Sequence, residues 1–160
     1  MTTAFVGIDP GKTGCAALWA QNNKVAFWDW KGPREANETL SIWKFNFQIL
    51  GVALEDVNFS IPGKRGTIAI RELQRNIGHW EGLLIALDID YIMPTPKIWK
   101  KMIPPSKGKD QKKKSLDYVK QAIPGCERWI HYKYHHNRAE ALLLALYVKE
   151  VKRLEGMRIQ

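Results

Sequence analysis

Three carboxylates stand where apolar stretches of this chain come to an end. Asp9 closes "FVGID" just before the turn Pro10-Gly11-Lys12-Thr13-Gly14. Glu55 closes "LGVALE" beside Asp56, and Glu140 lies one helical turn before Leu143 and Leu144 in the most apolar part of the C-terminal region. A carboxylate in such surroundings is costly unless it is protonated or matched to a cation. If Asp9 and Glu55 end neighbouring strands, both side chains can point into one crevice, and the first turn of a final helix can add Glu140. His136 and Asn137, four and three residues before Glu140, would face the same way on that helix. Oxygen ligands of this kind suit Mg²⁺ or Mn²⁺. Two such ions side by side could align a water and a leaving oxygen on a scissile phosphodiester.

Each acid also has an ordinary explanation. An aspartate before Pro-Gly can bond the N–H groups of its own turn, Glu55 or Asp56 can serve a salt bridge, and Glu140 can complement a helix N-terminus. Lys12 within a Pro-Gly turn also fits a phosphate-binding loop. Their joint placement next to a basic segment favours chemistry. Between residues 97 and 120 there are nine lysines, opposed only by Asp110 and Asp117, in a protein of net charge +9. Such a face expects a polyanion, which can be DNA, RNA or an anionic membrane surface.

The elements that must hold these residues follow from the pattern. The spacing predicts strands over 3–9, 15–20 and 24–30, joined by "PGKTG" and "QNNK" as an antiparallel meander. A helix is expected over 34–48 with Leu40, Trp43, Phe45 and Phe47 near a helical period, then a central strand over 50–57. Residues 58–66 read as a loop. A long helix over 67–87 carries Ile70, Leu73, Ile77, Trp80, Leu84 and Leu87 at helical spacing. "DYIMP" is a further strand, "TPKIWKKMI" a short helix with Pro near its start, and "KGKDQKKKSLDYVKQAI" a basic loop becoming a helix. "NRAEALLLALYVKEVKRL" is the last helix. The order implies a mixed sheet covered by helices.

A chain of 160 residues with 45% apolar residues and seven Trp can build one packed domain, read as spanning 1–160. Cys15 and Cys126 lack the number and spacing for a disulfide framework or a zinc site, so buried free thiols are expected. The start has no basic region before its apolar run and so does not read as a signal peptide. Even "GLLIALDIDYIM" carries two aspartates, so no membrane span is expected. A cytoplasmic protein is the expectation.

The segments "GIDPGKTG", "ALEDV" and "HHNRAEALLLALY", in this order across nearly the whole chain, resemble RuvC-type Holliday junction resolvases of the RNase H-like superfamily. "PTPKIWKKMI" and "KKKSLDYV" resemble the basic part of that family, and the short form with its Trp-rich segments is similar to phage-encoded members. The resemblance implies an RNase H-like fold: a mixed five-stranded sheet, with a three-stranded antiparallel meander plus two parallel strands, flanked by helices. It implies a homodimer that binds a four-way DNA junction and makes paired, symmetric nicks with two Mg²⁺ or Mn²⁺ ions per site.

Carried over residue by residue, the resemblance makes Asp9, Glu55 and Glu140 metal ligands and catalytic groups. The remaining ligand comes from the start of the last helix, where the family usually has Asp and sometimes His. No acid occupies 135–138 here. His136 is the choice and Asn137 the alternative; His136 could instead shuttle a proton. Lys100 and Lys114 match lysines near the scissile phosphate and in the DNA channel. Phe59 matches an aromatic that stacks at the junction crossover, with a core Phe as the competing interpretation. Lys64 and Arg65 extend that loop's charge, and Lys12, Lys97, Lys101, Lys112, Lys113 and Arg138 are expected to contact phosphates.

Rival readings remain at this stage. They are an actin- or sugar-kinase-like ATPase, for which 160 residues leave no second domain, a non-catalytic nucleic-acid-binding module, and an RNase H-fold nuclease for flaps, forks or RNA–DNA hybrids.

Overall fold

A central strand buried along most of its length organises the molecule. The structure, a computed structural model, describes residues 1–57, 66–104, 110–131 and 135–158. Strand β1 (Thr2–Asp9) is buried from Ala4 onward and sits in the middle of a five-stranded sheet of order β3-β2-β1-β4-β5. β2 (Cys15–Ala20) and β3 (Val25–Asp29) complete the antiparallel meander, and β4 (Phe47–Leu54) and β5 (Tyr91–Ile92) add to the other edge in parallel. This is the mixed sheet that the sequence predicts.

Alternation along β1 divides the core in two. Ala4, Val6 and Ile8 face a layer built from α1 (Pro33–Asn46) and α2 (Thr67–Ala86), where Leu40, Trp43, Leu73, Ile77, Trp80 and Leu84 are buried. Phe5 faces the opposite layer, made by α5 (His136–Arg158) with α4 (Gln111–Ala122) packed against it. Gly7 lets α5 lie directly on the sheet: a Cβ there would stand 1.9 Å from the Ala141 carbonyl oxygen and 2.4 Å from the Ala145 nitrogen. Because α5 is covered by the sheet on one side and α4 on the other, Ala141 to Leu146 are all buried, as its apolar sequence requires.

The elements differ from the expected ones at several points. The helix expected over 34–48 stops at Asn46, and Phe47 is already strand, beside Thr2 of β1. Phe45 is 82% exposed, off the buried stripe of Ala36, Leu40 and Trp43; Phe47 and Ile49 join the same core by strand alternation instead. β5 shrinks to two residues. The short helix is α3 (Pro96–Trp99), which tightens into a 3₁₀ turn over Lys100–Met102. A second 3₁₀ turn, Cys126–Trp129, follows Gly125, whose φ of +89° suits glycine.

β4 also carries a register shift. Ala4 lies beside Ile49 but Phe5 lies beside Gly51, which makes Leu50 an extra residue in the strand. Before it, Phe47 and Ile49 pack towards α1 and α2; after it, Gly51 meets Val148 of α5 and Ala53 enters the α5 core. The bulge therefore turns the residues of odd number, and Glu55 with them, onto the α5 face.

Both cysteines are free and buried. Among the described residues no helix is long and apolar enough to cross a membrane.

Candidate active site

Asp9 and Glu55 end adjacent parallel strands, and the Glu55 N–H donates to the Ile8 carbonyl at 3.0 Å. Both carboxylates are buried, at 9% and 6% exposure. Asp9 shares the α5 face with Phe5 and Gly7, and Glu55 shares it with Ala53. Asp9 Oδ1 accepts a hydrogen bond from the Gly11 N–H at 3.0 Å, so the turn-aspartate contact exists alongside any role in chemistry. Gly14 closes that turn. Its N–H donates to the Gly11 carbonyl at 2.8 Å, and a Cβ at Gly14 would stand 2.2 Å from the Asp9 carbonyl oxygen.

Glu140 reaches the same region from α5. Its Oε1 accepts from Lys100 Nζ at 2.9 Å. Next to Lys100, Trp99 is fully buried and its indole N–H donates to Glu55 Oε1 at 3.0 Å. The charges of the three acids act on one another. Burial first, then the charges of Asp9 and Glu140, push the Glu55 carboxyl up to about 7, with Lys100 and the Trp99 hydrogen bond opposing in part.

The first turn of α5 is fastened to the meander on its other side. The Asn137 side-chain nitrogen donates to the Thr13 carbonyl, and to Thr13 Oγ1 at 2.9 Å. Arg138 makes a bidentate pair with Asp29, with Nε donating to Oδ1 at 2.9 Å, and it also reaches the Trp129 carbonyl. The hydrogen bond from Arg138 holds the Asp29 carboxyl below its ordinary value. His136 lines a cleft of about 510 Å³ with Lys12, Thr13, Trp30 and Asn137.

The structure thus brings together Asp9, Glu55, Glu140 and Lys100 among the residues singled out in the sequence. No hydrogen bond or ion pair joins His136 to these acids. Lys114, in the first turn of α4, is partly exposed and likewise makes no contact with them. Lys97, Lys101, Lys112 and Lys113 are exposed; Lys113 pairs with Asp117 at 3.7 Å, and Lys12 pairs with Glu72 at 3.7 Å. Arg138, expected to face phosphate, is engaged with Asp29. Phe59, Lys64 and Arg65 lie outside the described residues. Asp110 caps α4, accepting from the Lys112 and Lys113 N–H groups at 3.1 and 3.2 Å, the usual remedy for a helix start.

Sequence reasoning missed Trp99. The signal was available: a Trp carries a donor that a buried residue spends on an acceptor, and "KIWKK" places it beside the lysine already singled out.

The donor chemistry of Asp9, Glu55 and Glu140 fits a hard divalent cation, since all are oxygen ligands. Among the described residues no three His, Cys, Asp or Glu groups are close enough to hold a metal ion. Glu140 is held by Lys100, and Oε1 of Glu55 by Trp99.

Solved structures share the fold. Thermus thermophilus RuvC in complex with a Holliday junction substrate matches with a TM-score of 0.62 and 16% identity over 95% of this chain and 96% of that one. A second T. thermophilus RuvC structure matches with a TM-score of 0.56 and 15% identity over 97% of each chain. A fowlpox virus resolvase with its substrate Holliday junction DNA matches at 16% identity over 94% and 98%, with a TM-score of 0.48. No protein-family model and no curated protein sequence matches the chain. The chain has the RuvC-type, RNase H-like fold: a mixed five-stranded sheet flanked by helices.

Proposed function

We propose that the protein is an endonuclease that resolves four-way DNA junctions by cation-assisted phosphodiester hydrolysis. The observation that carries this reading is the buried acid cluster. Asp9 and Glu55 end adjacent parallel strands, Glu140 reaches the same region from α5, and Glu55 is pushed up to about 7 by burial and then by the charges of Asp9 and Glu140. The shared fold with RuvC supports the substrate class, and the exposed lysines of α3 and α4 suit a phosphate backbone.

Asp9, Glu55 and Glu140 would hold Mg²⁺ or Mn²⁺, with one or two ions per site and His136 as a further ligand or proton carrier. Bound there, such a cation supplies an activated water and a polarised phosphoryl oxygen. The chain itself supplies the rest. β1 and β4 fix two carboxylates at rigid strand ends, the Gly11–Gly14 turn and Asn137 keep Asp9 and α5 in register, and Lys100 brings a positive charge to the edge of the site. Lys100 can leave Glu140 for the phosphate as negative charge develops. Paired symmetric nicks require two such sites, so a homodimer belongs to this reading, with exposed Lys12, Lys97, Lys101, Lys112 and Lys113 tracking the DNA arms.

A second reading has its own support. The absence of an acid at 135–138, where the resemblance expects a fourth ligand, favours a junction-binding protein with impaired chemistry. The test is cleavage of a labelled four-way junction beside the matching linear duplex, in Mg²⁺, in Mn²⁺ and in chelator, by the native protein and by Asp9→Asn. Metal-dependent nicks in the junction alone, lost in Asp9→Asn, are expected. Tight junction binding without cleavage in either metal would favour the second reading, and cutting of flaps or hybrids in preference to junctions would move the substrate class.

A further inference from the structure

We infer that Trp99 is a positioning residue for Glu55, an inference that rests on the cation-dependent reading above. The indole N–H holds Oε1 of the carboxylate so that Oε2 is the oxygen left to bind a cation.

Packing alone does not account for the contact. Trp19 and Trp80 are also buried, and among the described residues their indole nitrogens have no hydrogen-bond partner. Trp99, by contrast, directs its donor at a buried carboxylate. Glu55 Oε2 makes no hydrogen bond among the described residues.

The platform beneath Trp99 is rigid with respect to Glu55. The Asp56 N–H, next in chain to Glu55, donates to the Pro94 carbonyl at 3.0 Å, and Ala53 pairs with Ile92 of β5. Pro96 opens α3 two residues after Pro94, and the Ile98 and Trp99 N–H groups both return to the Thr95 carbonyl. The short helix is thereby tethered to the end of β4 through the residues just before it. The indole then links both acids of this wall: Lys100 Nζ, which holds Glu140, lies 4.9 Å from the Trp99 ring centroid. One rigid turn orients Glu55 through residue 99 and Glu140 through residue 100. Outer hydrogen bonds of this kind fix ligating carboxylates, and removing one costs roughly ten- to a hundredfold in metal affinity.

The test replaces the N–H while keeping the shape. Trp99→β-(3-benzothienyl)alanine puts sulfur where the indole N–H stands; Trp99→Phe, which also opens a cavity, is the coarser variant. Mn²⁺ binding to the DNA-free protein is read by electron paramagnetic resonance, with thermal melting in chelator and the Mn²⁺ dependence of junction cleavage alongside. The benzothienyl protein should melt as a folded protein, bind Mn²⁺ roughly ten- to a hundredfold more weakly, and need correspondingly more Mn²⁺ for half-maximal cleavage. Native-like Mn²⁺ affinity in that protein, with Asp9→Asn still losing Mn²⁺, would overturn the role of Trp99 and leave the nuclease reading standing. A native protein that neither binds Mn²⁺ nor cleaves would overturn both.

Discussion

Two carboxylate–cation arrangements flank the first turns of α5, and their electrostatics are opposite. On one side Asp29 and Arg138 meet as a bidentate pair, one anion to one cation, and the Asp29 carboxyl is held below its ordinary value. On the other, Lys100 pairs with Glu140, and Glu55, buried beside Asp9 and Glu140, is pushed up to about 7. The matched pair is finished by folding and fastens α5 to β3. At the strand ends, by contrast, Glu55 sits in surroundings that favour a proton or a bound cation.

The comparison breaks most sharply at Asp9. Asp9→Asn should reduce junction cleavage by at least roughly three orders of magnitude, as losses at groups acting as one catalytic unit do, while junction binding in Ca²⁺ or chelator persists in a gel-shift assay.

Glu55→Gln comes next and is read as stability. Because the folded value of Glu55 lies near 7, above its ordinary 4.5, the native protein keeps a proton that the unfolded chain has released across that window. Stability therefore falls as pH rises from about 4.5 to 7, and the full cost stands above it. In chelator at pH 8, Glu55→Gln should be more stable than the native protein by roughly 3 kcal/mol, the free energy of a shift of this size. At pH 4 the two should melt nearly together. Chemical denaturation at both pH values checks this.

Lys100→Met should lower cleavage roughly a hundredfold, the scale for losing one preorganised charge at a developing anion, measured in single-turnover reactions at saturating Mg²⁺. The smallest effect belongs to the matched side. Arg138→Met breaks a partly exposed pair, so a stability loss of about 1 kcal/mol or less is expected, with cleavage close to native. A hundredfold loss of cleavage in Arg138→Met would erase the distinction between the two sides.

Much of this was legible in the sequence because it depends on local pattern. The meander follows from short turns between apolar runs, Asp9 and Glu55 from runs that end on an acid, and α5 from an apolar stretch too long for a strand. What escaped depends on distant partners. The extra residue Leu50 has no marker in "FQILGVAL", since bulges arise from how β4 meets β1, yet it decides which face Glu55 takes. The end of α1 escaped because Phe45 and Phe47 satisfy a helical period as readily as a strand's alternation. Trp99 reads as one more core aromatic until the sheet brings Glu55 to it across 44 residues of chain. Asn137 and Arg138 read as neighbours of a metal or a phosphate, and their hydrogen bonds to Thr13 and Asp29 depend on partners far away in sequence.

The most direct measurement is the titration of the Glu55 carboxyl carbon by NMR, in chelator and then with Mg²⁺. A midpoint near 7 without the cation, moving downward as Mg²⁺ is added and failing to move in Asp9→Asn, is the expected result. A midpoint near 4.5, or one near 7 that Mg²⁺ leaves in place, would contradict the reading of this acid cluster as a cation-binding nuclease centre.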